Sequence, residues 1–146
     1  MMGIPEYVTI AEVRRVCKEL GIRDWSRLKK PKVQPKEALK ILARVNPGKM
    51  SVPIEDFLEG LQVELEHGTR FPDANVTNNH PILTGRIVMA HFKESLDYYR
   101  RLEIAELEGD LLKAVLAGNT TKIKVYYKKL AKAKNALSQA ELSQLK

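Results

Sequence analysis

Two short segments of this chain place carboxylates and imidazoles at helical spacing. Glu64 and His67 lie three residues apart in Glu64-Leu-Glu-His-Gly68, and His91 and Glu94 repeat the pair in reverse order. Residues three or four apart share a helix face, so each pair can aim at one point. If the two helices run antiparallel, His91 stands level with His67 and Glu94 with Glu64, and two imidazoles and two carboxylates converge. Such a donor set suits Fe, Mn or Zn better than Ca or Mg. It is similar to the Glu-x-x-His ligation of di-iron bundles, which use more carboxylates. Tyr98, seven residues beyond His91, falls on the same side of that helix as an extra ligand or outer partner, and Glu66 and Asp97 are further polar-core candidates. Glu94 is expected to point inward. A buried carboxylate must be answered by a metal, a cation or a hydroxyl, or else take up a proton.

Plainer uses of the same residues stand beside this one. Glu64 and Glu94 can serve as salt-bridge or cap partners, and His67 can sit at a helix C-terminus where the dipole favours it. On a helical wheel Glu64 borders its apolar stripe and His67 points away from it. A metal-free acid–base pair is a third reading. No phosphate-cradling glycine loop and no Ser/His/Asp or Cys/His set is present, so the residues leave open whether the chain is an enzyme.

The elements that must position these groups read as helices throughout. Thr9-Ile-Ala-Glu12 has the form of a capping box, and Val13, Val16, Cys17 and Leu20 follow at helical spacing up to Gly21. Asp24 is placed to cap a short turn holding Trp25. Pro35 opens a second helix with Ala38, Leu39, Ile41, Leu42 and Val45 on its apolar side, and Asn46-Pro-Gly48 stops it. Ser51 is expected to cap a third helix whose stripe is Ile54, Phe57, Leu58, Leu61 and Leu65, ending at Gly68. Residues 69–80 read as a functional-length loop. A fourth helix, apolar on two sides and therefore central, spans about 82–105. Gly118 and Asn119 introduce a fifth, with Ile123, Tyr126, Tyr127, Leu130 and Leu137 under a lysine-rich face, and Ser138 is set to cap a last short piece. The fold class is all-α, a compact bundle of about five helices. Residues 1–109 form the core domain, with a basic insertion near 29–47, and residues 110–146 an appended basic amphipathic segment.

Charge sharpens this division. Residues 1–50 carry 12 Lys/Arg against 5 Asp/Glu, residues 51–109 carry 5 against 11, and residues 110–146 carry 8 against 2. An acidic centre between basic flanks can be self-complementary, within the fold or between copies. It equally offers Lys122, Lys124, Lys128, Lys129 and Lys132 to a nucleic acid or an acidic protein. No apolar run approaches the roughly 20 residues of a membrane span, so no membrane partner is expected. The single cysteine, Cys17, fits a cytoplasmic protein, or one carried inside a virion.

The ordered pattern Val63-Glu-Leu-Glu-His-Gly68, Asn75-Val-Thr-Asn78, Thr84-Gly-Arg-Ile-Val-Met-Ala-His91 and Asp97-Tyr-Tyr-Arg-Arg-Leu102 resembles an uncharacterised small domain family of bacteria, phages and giant viruses. The resemblance covers about residues 9–106 and also includes Leu20-Gly-Ile22 and Trp25. It implies that Glu64, Glu66, His67, Thr77, Gly85, His91, Glu94, Asp97 and Tyr98 matter, without giving them a role. The phage and giant-virus occurrence implies a virion or host-takeover setting.

Overall fold

A computed structural model describes residues 6–146. Among them are six α-helices and two short 3-10 turns, and no strand: α1 Ile10–Leu20, α2 Pro35–Val45, α3 Ile54–Arg70, α4 Pro81–Glu94, α5 Tyr98–Leu116 and α6 Thr120–Gln144, with turns at Trp25–Arg27 and Pro72–Ala74. The all-α expectation holds, with six helices in place of about five. The helices fall into two compact units, Met1–Leu96 and Asp97–Lys146.

Local chemistry sets most helix ends of the first unit. The Thr9 hydroxyl accepts from the Glu12 N–H at 3.1 Å and opens α1. Gly21 closes it in the left-handed region (φ 63°), where a side chain would be strained. Asp24 caps the turn at Trp25 through the Ser26 N–H at 3.1 Å. Pro35 takes the first position of α2, and Glu37 reaches back to the Gln34 N–H at 3.0 Å. Two expectations fail here. The residue before α3 is Pro53, not Ser51, and no side chain caps the helix; α3 then runs through Gly68 to Arg70, the glycine lying under a loop that folds over it.

The core of this unit is a three-helix contact of α2, α3 and α4, with α1 against α4. Trp25, Ile41, Phe57, Leu61 and Val88 are fully buried. Each such side chain stabilises the fold by about 1.5–3 kcal/mol. Leu39, assigned to the apolar side of α2, is instead exposed. Residues 29–47, read as an insertion, contribute α2 with the buried Glu37, Ala38 and Ile41. Gly85 lets α2 approach α4, since a Cβ there would lie 2.6 Å from Ile41 Cγ2 and 3.2 Å from Val45 Cγ1.

The long central helix expected over 82–105 is two helices. Ser95 ends α4 in an extended conformation (φ −161°, ψ 129°), and Asp97 stands as the residue before α5, where its carboxylate receives Arg101 at 2.9 and 3.0 Å. α4 keeps the central role, burying Thr84, Gly85, Val88, Met89 and Phe92.

In the second unit α5 and α6 pack as a hairpin around a turn in which Gly118 has φ 64° and the Asn119 side chain accepts from the Lys122 N–H. α5 passes through Gly109 without a break, and α6 passes through Ser138 without the separate last helix expected there. Serine inside a helix can turn its hydroxyl outward, so it stops nothing by itself.

Candidate functional site

α3 and α4 bring Glu64 and His91 together. A carboxylate oxygen of Glu64 lies 3.4 Å from Nε2 of His91, and both side chains are largely enclosed, at 14% and 26% exposure. Glu94 approaches the other ring nitrogen, Nδ1, with 3.9 Å between the atoms, which is beyond hydrogen-bonding range. The imidazole therefore stands between two carboxylates on opposite nitrogens. This is a line of three groups, not a ring of donors round one point.

The expected register is thus displaced by a helical turn: His91 is level with Glu64, not with His67. Glu94 does not point inward, because its side chain is 71% exposed at the last position of α4. His67 is exposed but shares a wall with Glu64. Asp97 and Tyr98 lie beyond the break at Ser95, at the start of α5 in the second unit, and not on the same helix as His91 and Glu94. Glu66 makes a surface pair with Arg70 at 3.5 Å. Lys122, Lys124, Lys128, Lys129 and Lys132 are all exposed along α6.

Beside Glu64 and His67 lies a partly open cavity of about 120 Å³, where Asn75, Thr77, Asn79 and Thr84 meet apolar Leu65 and Ile87. It has room for several waters or one small ligand. The loop beside it is built by asparagines. Asn78 and Asn79 both adopt left-handed backbone (φ 49° and 61°), a conformation Asn tolerates better than other non-glycine residues. Asn75 and Asn79 bond side chain to side chain at 3.1 Å, and Asn79 donates to the Trp25 carbonyl at 3.0 Å. Asn78 donates to the Val8 carbonyl at 2.6 Å. The pair rests on Gly68, where a Cβ would come within 2.6 Å of Asn75 and 2.8 Å of Asn79. The Gly of Glu-His-Gly and the Asn of the following loop are thus two halves of one contact.

His80, the last residue of the expected loop, caps α4. Its Nδ1 accepts from the Ile82 and Leu83 N–H groups at 3.2 and 3.3 Å, and Thr84 donates to its carbonyl at 2.7 Å. An acceptor Nδ1 requires the neutral ring. Burial holds its pKa below the ordinary histidine value, more than the Glu12 charge raises it. The unfolded chain therefore takes up this proton first, and stability present above about pH 6.5 falls as the pH drops below it. His80→Asn keeps a capping side chain and removes the titration. Its urea midpoint should decline less than that of the wild type between pH 7 and pH 5, and equal declines would rule this cap out as the source.

The other buried polar centre had no signal beyond Glu37 standing three residues after Gln34. Glu37 is 2% exposed and accepts from Arg23, the Trp25 indole N–H and the Gln34 N–H.

Among the described residues no group of three or more His, Cys, Asp or Glu is gathered as a metal cage, and no helix is long and apolar enough to cross a membrane. A family model described as "Protein of unknown function (DUF5661)" matches residues 13–108. The chain belongs to the DUF5661 family. The DUF5661 match takes in α2, Glu64, His91 and the whole asparagine loop, and it ends inside α5. Neither a curated protein nor a solved structure matches the chain.

Proposed function

We propose that the working centre of this DUF5661 protein is the Glu64–His91 pair and the small cavity beside it, and that the pair takes one divalent transition-metal ion. The observation that carries this reading is the 3.4 Å approach of Glu64 to His91 Nε2 across two helices. A carboxylate and an imidazole nitrogen are a fitting half-shell for Zn, Mn or Fe, with water or a substrate oxygen filling the other positions. Glu94, 3.9 Å away on the far side of the ring, would have to move closer to orient the imidazole as a ligand. His67, on the cavity wall, is a further imidazole on the same cavity as Glu64. Two protein ligands hold an ion weakly, so the metal is expected to exchange and to be lost in purification. No reaction is assigned.

The test is titration of metal-free protein with Zn²⁺ and with Co²⁺, whose visible spectrum reports ligation. One saturable site is expected in the wild type, lost in Glu64→Gln and His91→Ala with helicity retained. Equal binding by His91→Ala, or no binding by the wild type, would sink the metal reading and leave the pair as a metal-free acid–base or structural contact.

A second reading places the function on α6. Its seam residues Leu130 and Leu137 are buried while Lys122, Lys124, Lys128, Lys129 and Lys132 stay exposed, which suits a polyanion such as nucleic acid or an acidic protein. Binding of a duplex oligonucleotide should weaken by about an order of magnitude or more between 50 and 200 mM salt, and a salt-independent affinity would exclude it.

A further inference from the structure

Where α4 meets the end of α2, an open groove of about 480 Å³ runs over apolar side chains between cations. Ile82, Arg86, Met89 and Lys93 follow one another at spacings of four, three and four, so one face of α4 presents them all. Met89 is buried and lies at the base, with Val45 and Ile82 half-buried beside it. Arg86 and Lys93 stand about 10 Å apart along the helix axis, with Met89 and Ala90 between them. Arg44 adds a third cation from the last turn of α2. Among the described residues no carboxylate lines this groove, and it shares no residue with the cavity beside Glu64.

The arginines of this unit mark the groove out. Arg14, Arg15, Arg23, Arg27, Arg44 and Arg70 each answer a carboxylate. Arg86 is the exception: it is exposed, and among the described residues neither it nor Lys93 has an ion-pair partner. Arg44 already gives Nη2 to Glu19 at 2.7 Å, so the unanswered charge is that of Arg86 and Lys93.

We propose that this groove binds a small organic anion, a phosphate monoester carried on an apolar ring. Its volume falls within the roughly 300–1,000 Å³ of small-molecule sites. Charge complementarity selects the occupant, since two cations without counter-charge around an apolar floor match a dianionic head on an apolar body. A phosphate brings two charges to the two cations, and its oxygens accept the parallel N–H pair of an arginine. The ring rests on Met89, whose thioether packs favourably against aromatic groups. The end of α2 opposes an anion with about half a negative charge, which the two full positive charges outweigh.

1-Naphthyl phosphate is the probe, with its binding to the full chain followed by amide chemical shifts at about 50 mM salt. A Kd of about 1 mM or tighter is expected, with the largest shifts on the α4 face and at the end of α2. Arg86→Ala and Lys93→Ala should each weaken binding at least about fivefold. Lys36→Ala, an exposed cation away from the groove, should not. Inorganic phosphate and 1-naphthol each carry one part of the probe and should bind at least about tenfold more weakly. All three substituted side chains are exposed, so circular dichroism of each variant should match the wild type. No sign of saturation by about 10 mM probe overturns the inference. So do unchanged affinity in both Arg86→Ala and Lys93→Ala, and inorganic phosphate binding as tightly as the probe. Shifts confined to the lysines of α6 also overturn it, and assign the anion to that basic face instead.

Discussion

Glu37→Ala should remove about 3–5 kcal/mol of folding stability, the cost of leaving a buried ion-pair network without its centre. Arg23 donates to this carboxylate through its backbone N–H, Nε and Nη2 at 3.2, 3.1 and 2.6 Å, the Trp25 indole at 3.1 Å and the Gln34 N–H at 3.0 Å. Arg23 is 39% exposed and can turn to water when the carboxylate goes, but the Trp25 donor is enclosed and cannot. For a domain with about 5–15 kcal/mol in total, the loss is at least about a fifth of the stability. Arg23→Ala should cost at least as much, because it leaves a carboxylate that is 2% exposed with two neutral donors and no counter-charge. Urea unfolding of both variants checks the order, and equal midpoints for Glu37→Ala and wild type would dismiss the network as a stabilising feature. The acid limb follows the same group. Burial raises the Glu37 pKa, yet the bonds from Arg23, Gln34 and Trp25 outweigh it and hold the carboxyl below its usual value. Its contribution is therefore present above about pH 4.5 and is lost as the pH falls further.

Gly68→Ala is the second large effect, and it joins the fold to the cavity. The new methyl would stand 2.6–2.8 Å from the Asn75 and Asn79 side chains, which hold each other and, through Asn79, the Trp25 carbonyl. Overpacking of this kind costs about 1–3 kcal/mol, and a helical alanine recovers up to about 1 kcal/mol of that through propensity. The loop should yield more than the helix does, so the cavity beside Glu64 is expected to change shape while the α-helix content stays. Gly48→Ala is the control. No atom lies within 4 Å there and the glycine has no positive φ, so the substitution should stabilise by about 0.4–1 kcal/mol through the unfolded chain. Thermal unfolding should move the two midpoints in opposite directions. A Gly68→Ala protein as stable as Gly48→Ala would mean that the asparagine pair does not bear on the helix.

Helix ends whose cause is local were legible in the residues. Thr9, Gly21, Asp24, Pro35 and Asn119 each act within a few positions of themselves, through one side-chain bond, one left-handed residue or one fixed φ, and all five stand where their types imply. Apolar residues recurring every three or four positions made every long element a helix, again from the chain's own local pattern. The break at Ser95 was hidden because the apolar period Met89, Phe92, Leu96 and Tyr99 runs straight across it, with no Gly or Pro to mark the stop. Ser95 and Asp97, both residues that favour helix ends, were the only sign.

The candidate site divides along the same line. The residue types in Glu64-Leu-Glu-His-Gly68 and Ala90-His91 are chemistry that the chain determined alone, and so is the antiparallel return that makes them neighbours. Which imidazole meets which carboxylate was decided in three dimensions. α4 is held at one height by Ile41 and Val45 against Gly85, and α3 by the asparagine loop against Gly68. Those contacts set His91 beside Glu64, one turn from where the symmetric spacing would put it, and left Glu94 in solvent. Periodicity states which face a side chain takes, but the sliding of one helix along another is settled by where their smallest residues let them touch.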